Sequence, residues 1–225
     1  MTKKLLYILS AVLMLTSCGT AEQTRASQYP KMYENQPLTL LVMPPINNTT
    51  NVEAKEYLYT SISKPLAEAG YYVISPRLAL DILKMESAYD AEQFTDVPLD
   101  KFRKFFGVDA VIFSEINKWR KVGFGIQTEI HYFIRSSRTG EVIFDRNCNL
   151  YLDTSSDVAK NDTILGALVN LTISAIETAT TDHIVAARRA NYYIFRDIPY
   201  GKYHPGYQTD SDTPADDANI SITVR

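Results

Sequence analysis

The sequence predicts an α/β (α+β) fold: a mixed central sheet carrying a long antiparallel hairpin, with helices packed on it, including a long C-terminal helix. Three observations predict it. Between Leu38 and Ile116 the patterns run strand, helix, strand, helix, helix, strand, the order of an α/β layer. Two stretches of period-two alternation follow, Val122 to Ile134 and Val142 to Leu152, with turn residues Ser136 to Gly140 between them. Helical spacing then returns over 157–190.

The first element is a leader. Lys3 and Lys4 precede the apolar stretch Leu5 to Leu15, about half of the roughly 20 residues a spanning helix needs, which marks a cleavable export signal. Leu15, Thr16, Ser17 and Cys18 resemble the lipobox of bacterial lipoproteins. The resemblance implies a lipoprotein signal peptide over 1–17, with diacylglycerol and an N-acyl chain carried covalently on Cys18. The competing reading is a plain secretory leader with an incidental cysteine. At least two acyl chains give stable anchoring, so lipidated Cys18 would attach the chain to a membrane. Gly19, where inner-membrane lipoproteins of enteric bacteria carry aspartate, implies the outer membrane, most simply its periplasmic side.

Residues 18–36 are polar and poor in branched aliphatics and read as a flexible tether. A single domain is expected over 37–208. Leu38 to Met43 is a continuous apolar run stopped by Pro44 and Pro45, as in a strand buried on both faces. Ala54, Leu58, Ile62, Leu66 and Ala69 fall at helical spacing, with Gly70 as the stop and Pro65 placed to divide the helix. A short strand over Tyr71 to Ser75, helices over Pro76 to Glu86 and Leu99 to Phe106, and a strand over Val108 to Ile116 complete the layer. The hairpin runs from Val122 to Asp153, and its edge is a surface for self-association. Residues 209–225 are acidic and rich in Ser and Thr and read as a mobile tail.

Composition is that of an ordinary globular chain: 45% hydrophobic, 22% charged, net charge −3. No run of Lys and Arg exceeds a pair such as Arg188 and Arg189, so no nucleic-acid partner is expected. With Cys18 lipidated, Cys148 has no disulfide partner; it reads as a small buried apolar residue, with a reactive thiol as the alternative. His131, His183 and His204 lack the paired spacing of metal ligands, and no metal or cofactor beyond the lipid is expected. Asp109, Glu115 and Glu129 are carboxylates on or near strands, without a sequence signal that any two converge. No nucleophile elbow or phosphate loop is present, so no enzyme activity is expected. Gly123 and Gly125 mark a bulge or a close backbone approach.

Two groups remain as binding candidates. The loop MPPINNTT, with Pro44, Pro45, Asn47, Asn48 and Thr49, lies after a buried strand, where α/β sheets bind ligands, and its Asn and Thr side chains equally suit helix capping. Tyr192, Tyr193, Tyr200, Tyr203, His204 and Tyr207 suit a protein interface, or the packing of two terminal arms together.

Tyr29 to Tyr33, then Pro44, Pro45, Asn47, Asn48 and Thr49, then Pro65, Leu66, Gly70, Tyr71 and Tyr72, together with PYGKYHPGY at 199–207, resemble a bacterial lipoprotein family first described among Neisseria genome-derived antigens. The likeness stops before the acidic end from Thr209. A strand ending in proline and Asn/Thr, then a helix and a Gly-Tyr-Tyr strand, is remotely similar to the N-terminal domain of TolB and to the curli-secretion channel lipoprotein. The resemblance implies a non-enzymatic accessory protein of envelope secretion or assembly that binds envelope proteins, a curli-channel-like lipoprotein among them, with a homo-oligomer as a further partner state. The alternative is a periplasmic ligand-binding or hydrolytic protein using the 43–50 loop. No additional amphipathic segment is present to build a membrane barrel, so the chain is not expected to be the pore.

Overall fold

The computed structural model describes residues 23–155 and 182–225. The leader 1–17, Cys18 and the 157–181 part of the expected C-terminal helix lie outside them.

Residues 24–36 are folded, which corrects the expected tether over 18–36. Thr24 caps α1 (Arg25–Gln28) by a reciprocal box with Ser27. α2 (Pro30–Asn35) starts on proline and ends at Gln36, whose φ of 44° is left-handed. Tyr29 and Met32, three residues apart, are both buried, and Tyr29 stacks on Phe144 with centroids 5.0 Å apart. Two apolar anchors, Tyr29 at the junction of the helices and Met32 on α2, outweigh the polar composition around them.

Among the described residues the sheet has seven strands. β1 (Thr39–Val42) lies between β3 (Tyr72–Val73) and β4 (Ala110–Val122), parallel to both. β2 (Ile46–Asn47) resumes the same path along β4 after the two prolines. β4, β5 (Gly125–Ser136) and β6 (Val142–Asp153) form an antiparallel meander, and β7 (Asn219–Val224) adds parallel to β6. The order is β3-β1-β4-β5-β6-β7, the mixed sheet with a long hairpin that the sequence predicts. The turn from β4 into β5 is only Gly123 and Phe124, so β4 is longer and β5 starts later than the alternation indicates. Gly125 meets the close approach expected of it: a Cβ there would lie 2.3 Å from the Leu152 carbonyl oxygen.

The helix predicted before Gly70 is divided into α3 (Ala54–Ser61) and α4 (Ser63–Glu68), because Pro65 has no N–H for the Ser61 carbonyl. α5 (Pro76–Met85) and α6 (Asp100–Phe106) follow, and α7 spans 182–195. One sheet face carries Val42, Ile112, Ile130, Phe144 and Cys148 against Leu58, Ile62 and Leu66 of α3–α4 and Ala186, Ala190 and Ile194 of α7. The other carries Leu41, Val111, Phe113 and Phe133 against Leu83 of α5 and Phe102 of α6. Beyond Phe133 this second face is polar, with Lys118 paired to Glu129 at 2.8 Å and Arg120 to Gln127 at 3.1 Å.

The stretch 209–225, expected to be a mobile tail, is packed. Asp210 is buried in an ion pair with Arg25 at 3.0 Å, and β7 buries Ile220 and Val224 against the first core. The physical reason is that Ile220, Ile222 and Val224 alternate with polar residues and so present one apolar edge to β6. β7 also covers the part of the β6 edge, Asn147–Leu152, that the hairpin would otherwise expose for self-association.

Arg146 holds this end together. It sits on the apolar face of β6 with 0% exposure, pairs with Asp197, donates to the Ile194 carbonyl at 3.0 Å and to the Asp217 carbonyl at 2.8 Å. Asp197 also accepts from the Tyr29 hydroxyl at 3.2 Å and the Asp216 N–H at 2.8 Å.

Removing one partner of a buried ion pair leaves a desolvated charge. Asp197→Ala should therefore cost about 3–5 kcal/mol, read as a lower denaturant midpoint, whereas Lys64→Ala, which breaks an exposed pair with Glu68, should cost under about 0.5 kcal/mol. Equal losses would refute the assigned role of Arg146.

Trp119, the chain's one tryptophan, donates its indole N–H to Nδ1 of His183 at 2.8 Å. Burial first, then Lys121, hold the His183 pKa below 6.5 against Asp182 and Glu53. The neutral ring thus supports the fold above 6.5, and this contribution is lost as pH falls from 6.5 through the lower native value. Acid titration of Trp119 fluorescence should show a transition below 6.5 that His183→Gln abolishes; a midpoint at or above 6.5 would contradict the geometry.

Candidate functional site

The loop at 43–50 uses its polar groups internally. Met43 is buried and its N–H reaches the Ile112 carbonyl at 3.0 Å. Pro44 fixes the exit from β1 and Pro45 is buried. Asn47 accepts from the Thr49 N–H at 3.1 Å and the Thr49 hydroxyl at 2.8 Å, an Asx turn, and donates to the Asn51 carbonyl at 2.8 Å. Exposed Asn48 pairs with Asn117 at 2.9 Å. The helix behind the loop is met by Asn51, whose side chain accepts from the Ala54 N–H at 3.1 Å, one residue after the stretch expected to cap it.

The tyrosine candidates form two groups. Tyr192 and Tyr193 lie on α7 with rings 5.3 Å apart, and Arg196 lies over Tyr193. Tyr192 lines a groove between α3–α4 and α7 with Thr60, Lys64, Val185 and Arg188. The second group, Tyr200, Tyr203, His204 and Tyr207, belongs to the segment that follows α7.

That segment is fixed to the corner between α4 and β3. Gly201 donates to the Ala69 carbonyl at 2.8 Å and Tyr203 donates to the Gly70 carbonyl at 3.0 Å. Gly70 has φ +88°, and a Cβ on it would lie 2.3 Å from the His204 nitrogen, so glycine is required for both reasons. Tyr71 donates to the Pro199 carbonyl at 2.5 Å, and Tyr207 reaches Gln36 at 3.1 Å. His204 stacks on Tyr200, whose other neighbour is the Arg25 guanidinium, 4.5 Å from the ring centroid. Asp210 closes the circuit by accepting from Arg25 and from the Tyr200 N–H at 2.8 Å.

Gly70, Tyr71 and the PYGKYHPGY segment, far apart in sequence, thus meet at one corner beside α1 and α2. The corner presents Lys202, Tyr203 and Pro205 to solvent, Tyr203 with 66% of its surface exposed. A backbone locked on both sides and carrying an exposed tyrosine and a cation presents a contact whose ordering cost is already met.

Apart from His131, which lies between two carboxylates, the groups with chemical potential are placed apart. Asp109 accepts the Leu38 and Thr39 N–H groups, both at 3.0 Å, and so starts β1. His131 lies on the polar sheet face between Glu115 and Asp145, His183 lies under Trp119, and His204 stacks on Tyr200. Among the described residues no three His, Cys, Asp or Glu side chains gather as metal ligands. Arg25, Arg146, Asp197 and Asp210 were not singled out by the sequence reading. Arg146 carries a signal there, since it interrupts the apolar face Phe144, Cys148, Leu150, Leu152.

Cys148 is a small residue fully buried in the first core, and burial pushes its thiol up to about 12, with Arg146 opposing. Maleimide at pH 8 should leave Cys148 unlabelled in the native protein and label it after denaturation; native labelling at the rate of a free thiol would refute this placement.

The family model described as "Putative lipoprotein GNA1162-like" matches residues 27–197. A curated relative, "Putative lipoprotein NMB1124/NMB1162" of Neisseria meningitidis serogroup B, is 27% identical over 187 residues, covering 80% of this chain and 84% of the relative. Among solved structures, lipoprotein GNA1162 from Neisseria meningitidis is 21% identical with a TM-score of 0.48, covering 64% of this chain and 99% of that one. The LpoB C-terminal domain from Escherichia coli is 16% identical with a TM-score of 0.35, covering 55% and 94%. On the family match, this chain belongs to the GNA1162-like lipoprotein family.

Proposed function

We propose that this protein is a lipid-anchored, non-enzymatic accessory protein of the cell envelope that binds protein partners during secretion or assembly. Lipidation at Cys18 places it on the periplasmic face of the outer membrane, and the surface at Lys202, Tyr203 and Pro205 makes the partner contact. The supporting observation is the corner itself: Gly70, Gly201 and Tyr71 lock a segment whose most exposed large apolar side chain is an aromatic. The curated relative carries the description "Putative lipoprotein NMB1124/NMB1162", which supports the anchor. The 43–50 loop, whose Asn47 and Thr49 bond each other, is assigned to structure in this reading.

The test is a crosslinking pull-down from intact cells making the full chain. Wild type should recover an envelope protein that a control lipoprotein does not. Tyr203→Ala should weaken that recovery by about 2 kcal/mol of affinity, roughly 30-fold, as an aromatic anchor at the centre of an interface does. Recovery no better than the control, or unchanged by Tyr203→Ala, would overturn the proposal. Mass spectrometry of Cys18 tests the anchor separately: a bare thiol or an uncut leader removes it.

A further inference from the structure

The two-residue turn between β4 and β5 is an apolar point on a charged hairpin. Gly123 takes φ +58°, the left-handed backbone that a tight hairpin asks of its first turn residue. The turn is held from both sides. Tyr151 donates its hydroxyl to the Val122 carbonyl at 3.1 Å, and Thr154 donates its N–H to the Phe124 carbonyl at 3.0 Å. Nothing in this geometry asks for an aromatic at 124, where Asn, Asp, Ser or Gly are the usual turn residues. Phe124 nevertheless stands there with 66% of its surface exposed, beside Val122 at 40%.

Cations flank this tip on both faces of the sheet. Arg120 lies on the polar face, where its guanidinium donates to Gln127 at 3.1 Å. Lys121, opposite the buried Ile126 in the ladder, lies on the core face. Both are exposed, and among the described residues neither has a carboxylate partner. The nearby acids are already engaged, Glu129 with Lys118 at 2.8 Å and Asp153 with Arg225 at 3.3 Å. The tip therefore combines exposed apolar surface with positive charge that the protein does not neutralise. Apolar surface gains free energy where an apolar medium receives it, and cations beside it favour a medium with an anionic surface.

We infer that the β4–β5 tip is a second membrane contact, at which Phe124 and Val122 enter the headgroup boundary of a bilayer containing anionic phospholipid. Arg120 and Lys121 stay among the lipid phosphates. Residues 19–22 are all that separate Cys18 from Gln23, a span of at most about 18 Å, so a lipid on Cys18 keeps the folded body beside a bilayer. This step rests on the anchor proposed above, whereas the exposure and charge of the tip do not. A turn already fixed by Gly123, Tyr151 and Thr154 loses little freedom on insertion. The contact is separate from the Tyr203 corner, which leaves that corner free for a protein.

A dye on the tip of the full chain tests this. Val122→Cys is labelled with an environment-sensitive fluorophore and reconstituted in vesicles of phosphatidylethanolamine and phosphatidylglycerol. Cys148 is buried and a lipidated Cys18 has no thiol, so the label reports position 122. Its emission should shift to the blue and be quenched by lipids bearing a nitroxide near the headgroup. Met85→Cys, on α5 and itself 83% exposed, should show neither effect. Phe124→Ser in the labelled chain should lower the inserted-to-free ratio at least about tenfold. Arg120→Gln with Lys121→Gln, or vesicles of phosphatidylcholine alone, should lower it roughly 30-fold. An unshifted label at 122, an equal shift at 85, or a shift that survives Phe124→Ser overturns the inference. A shift indifferent to both charge changes, or one without lipid quenching because protein covers the tip, overturns it too. Failure of the anchor is read separately, as a bare Cys18 by mass, and insertion is then measured on the Cys18→Ser full chain by the same shift.

Discussion

A guanidinium with no exposed surface constrains everything near it. The desolvation of Arg146 is offset only if its donors meet acceptors in good geometry, and those acceptors come from segments remote in sequence: the end of α7 at Ile194, Asp197 beyond it, and the approach to β7 at Asp217. Asp197 in turn accepts from Tyr29, so the N-terminal arm joins the same cluster. Three pieces of chain, the end of α7 with Asp197, the approach to β7 and the N-terminal arm, converge on β6 because one charge there cannot be left unpaired. An apolar residue at 146 would pack the strand equally well and would not dictate where the other three segments go.

How much of this was legible in the sequence depends on how local the signal is. The TLLV run is buried on both faces because β1 lies between two parallel neighbours, and its continuity announced that. The alternation of β5 and β6 was equally plain, since one face meets helices and the other meets water over much of its length. Two errors came from averaging. Residues 18–36 and 209–225 are polar overall, yet Tyr29 with Met32, and Ile220 with Ile222 and Val224, are few apolar residues at the right spacing. The Thr24–Ser27 box followed by Pro30 was also readable as two helix starts.

The corner was legible only in pieces. Gly70 read as a helix stop and PYGKYHPGY as a cluster of turns and aromatics, and both descriptions are correct locally. Their contact, with backbones too close for a Cβ at Gly70, is a tertiary fact separated by about 130 residues of chain. The buried ion pairs were silent for a similar reason: Arg25 and Asp210 lie 185 residues apart, each inside a stretch whose composition resembles solvent-facing chain.

The Thr24–Pro214 bridge and the hydrogen bond from Ala215 to the Gln23 carbonyl determine where a mechanical load would enter. Tension applied ahead of Gln23 is taken first by this crossing, then by the Arg25–Asp210 clasp, before any force reaches the strands. The crossing acts as a strain relief, like the knot that keeps a pull on a cable from reaching its solder joints.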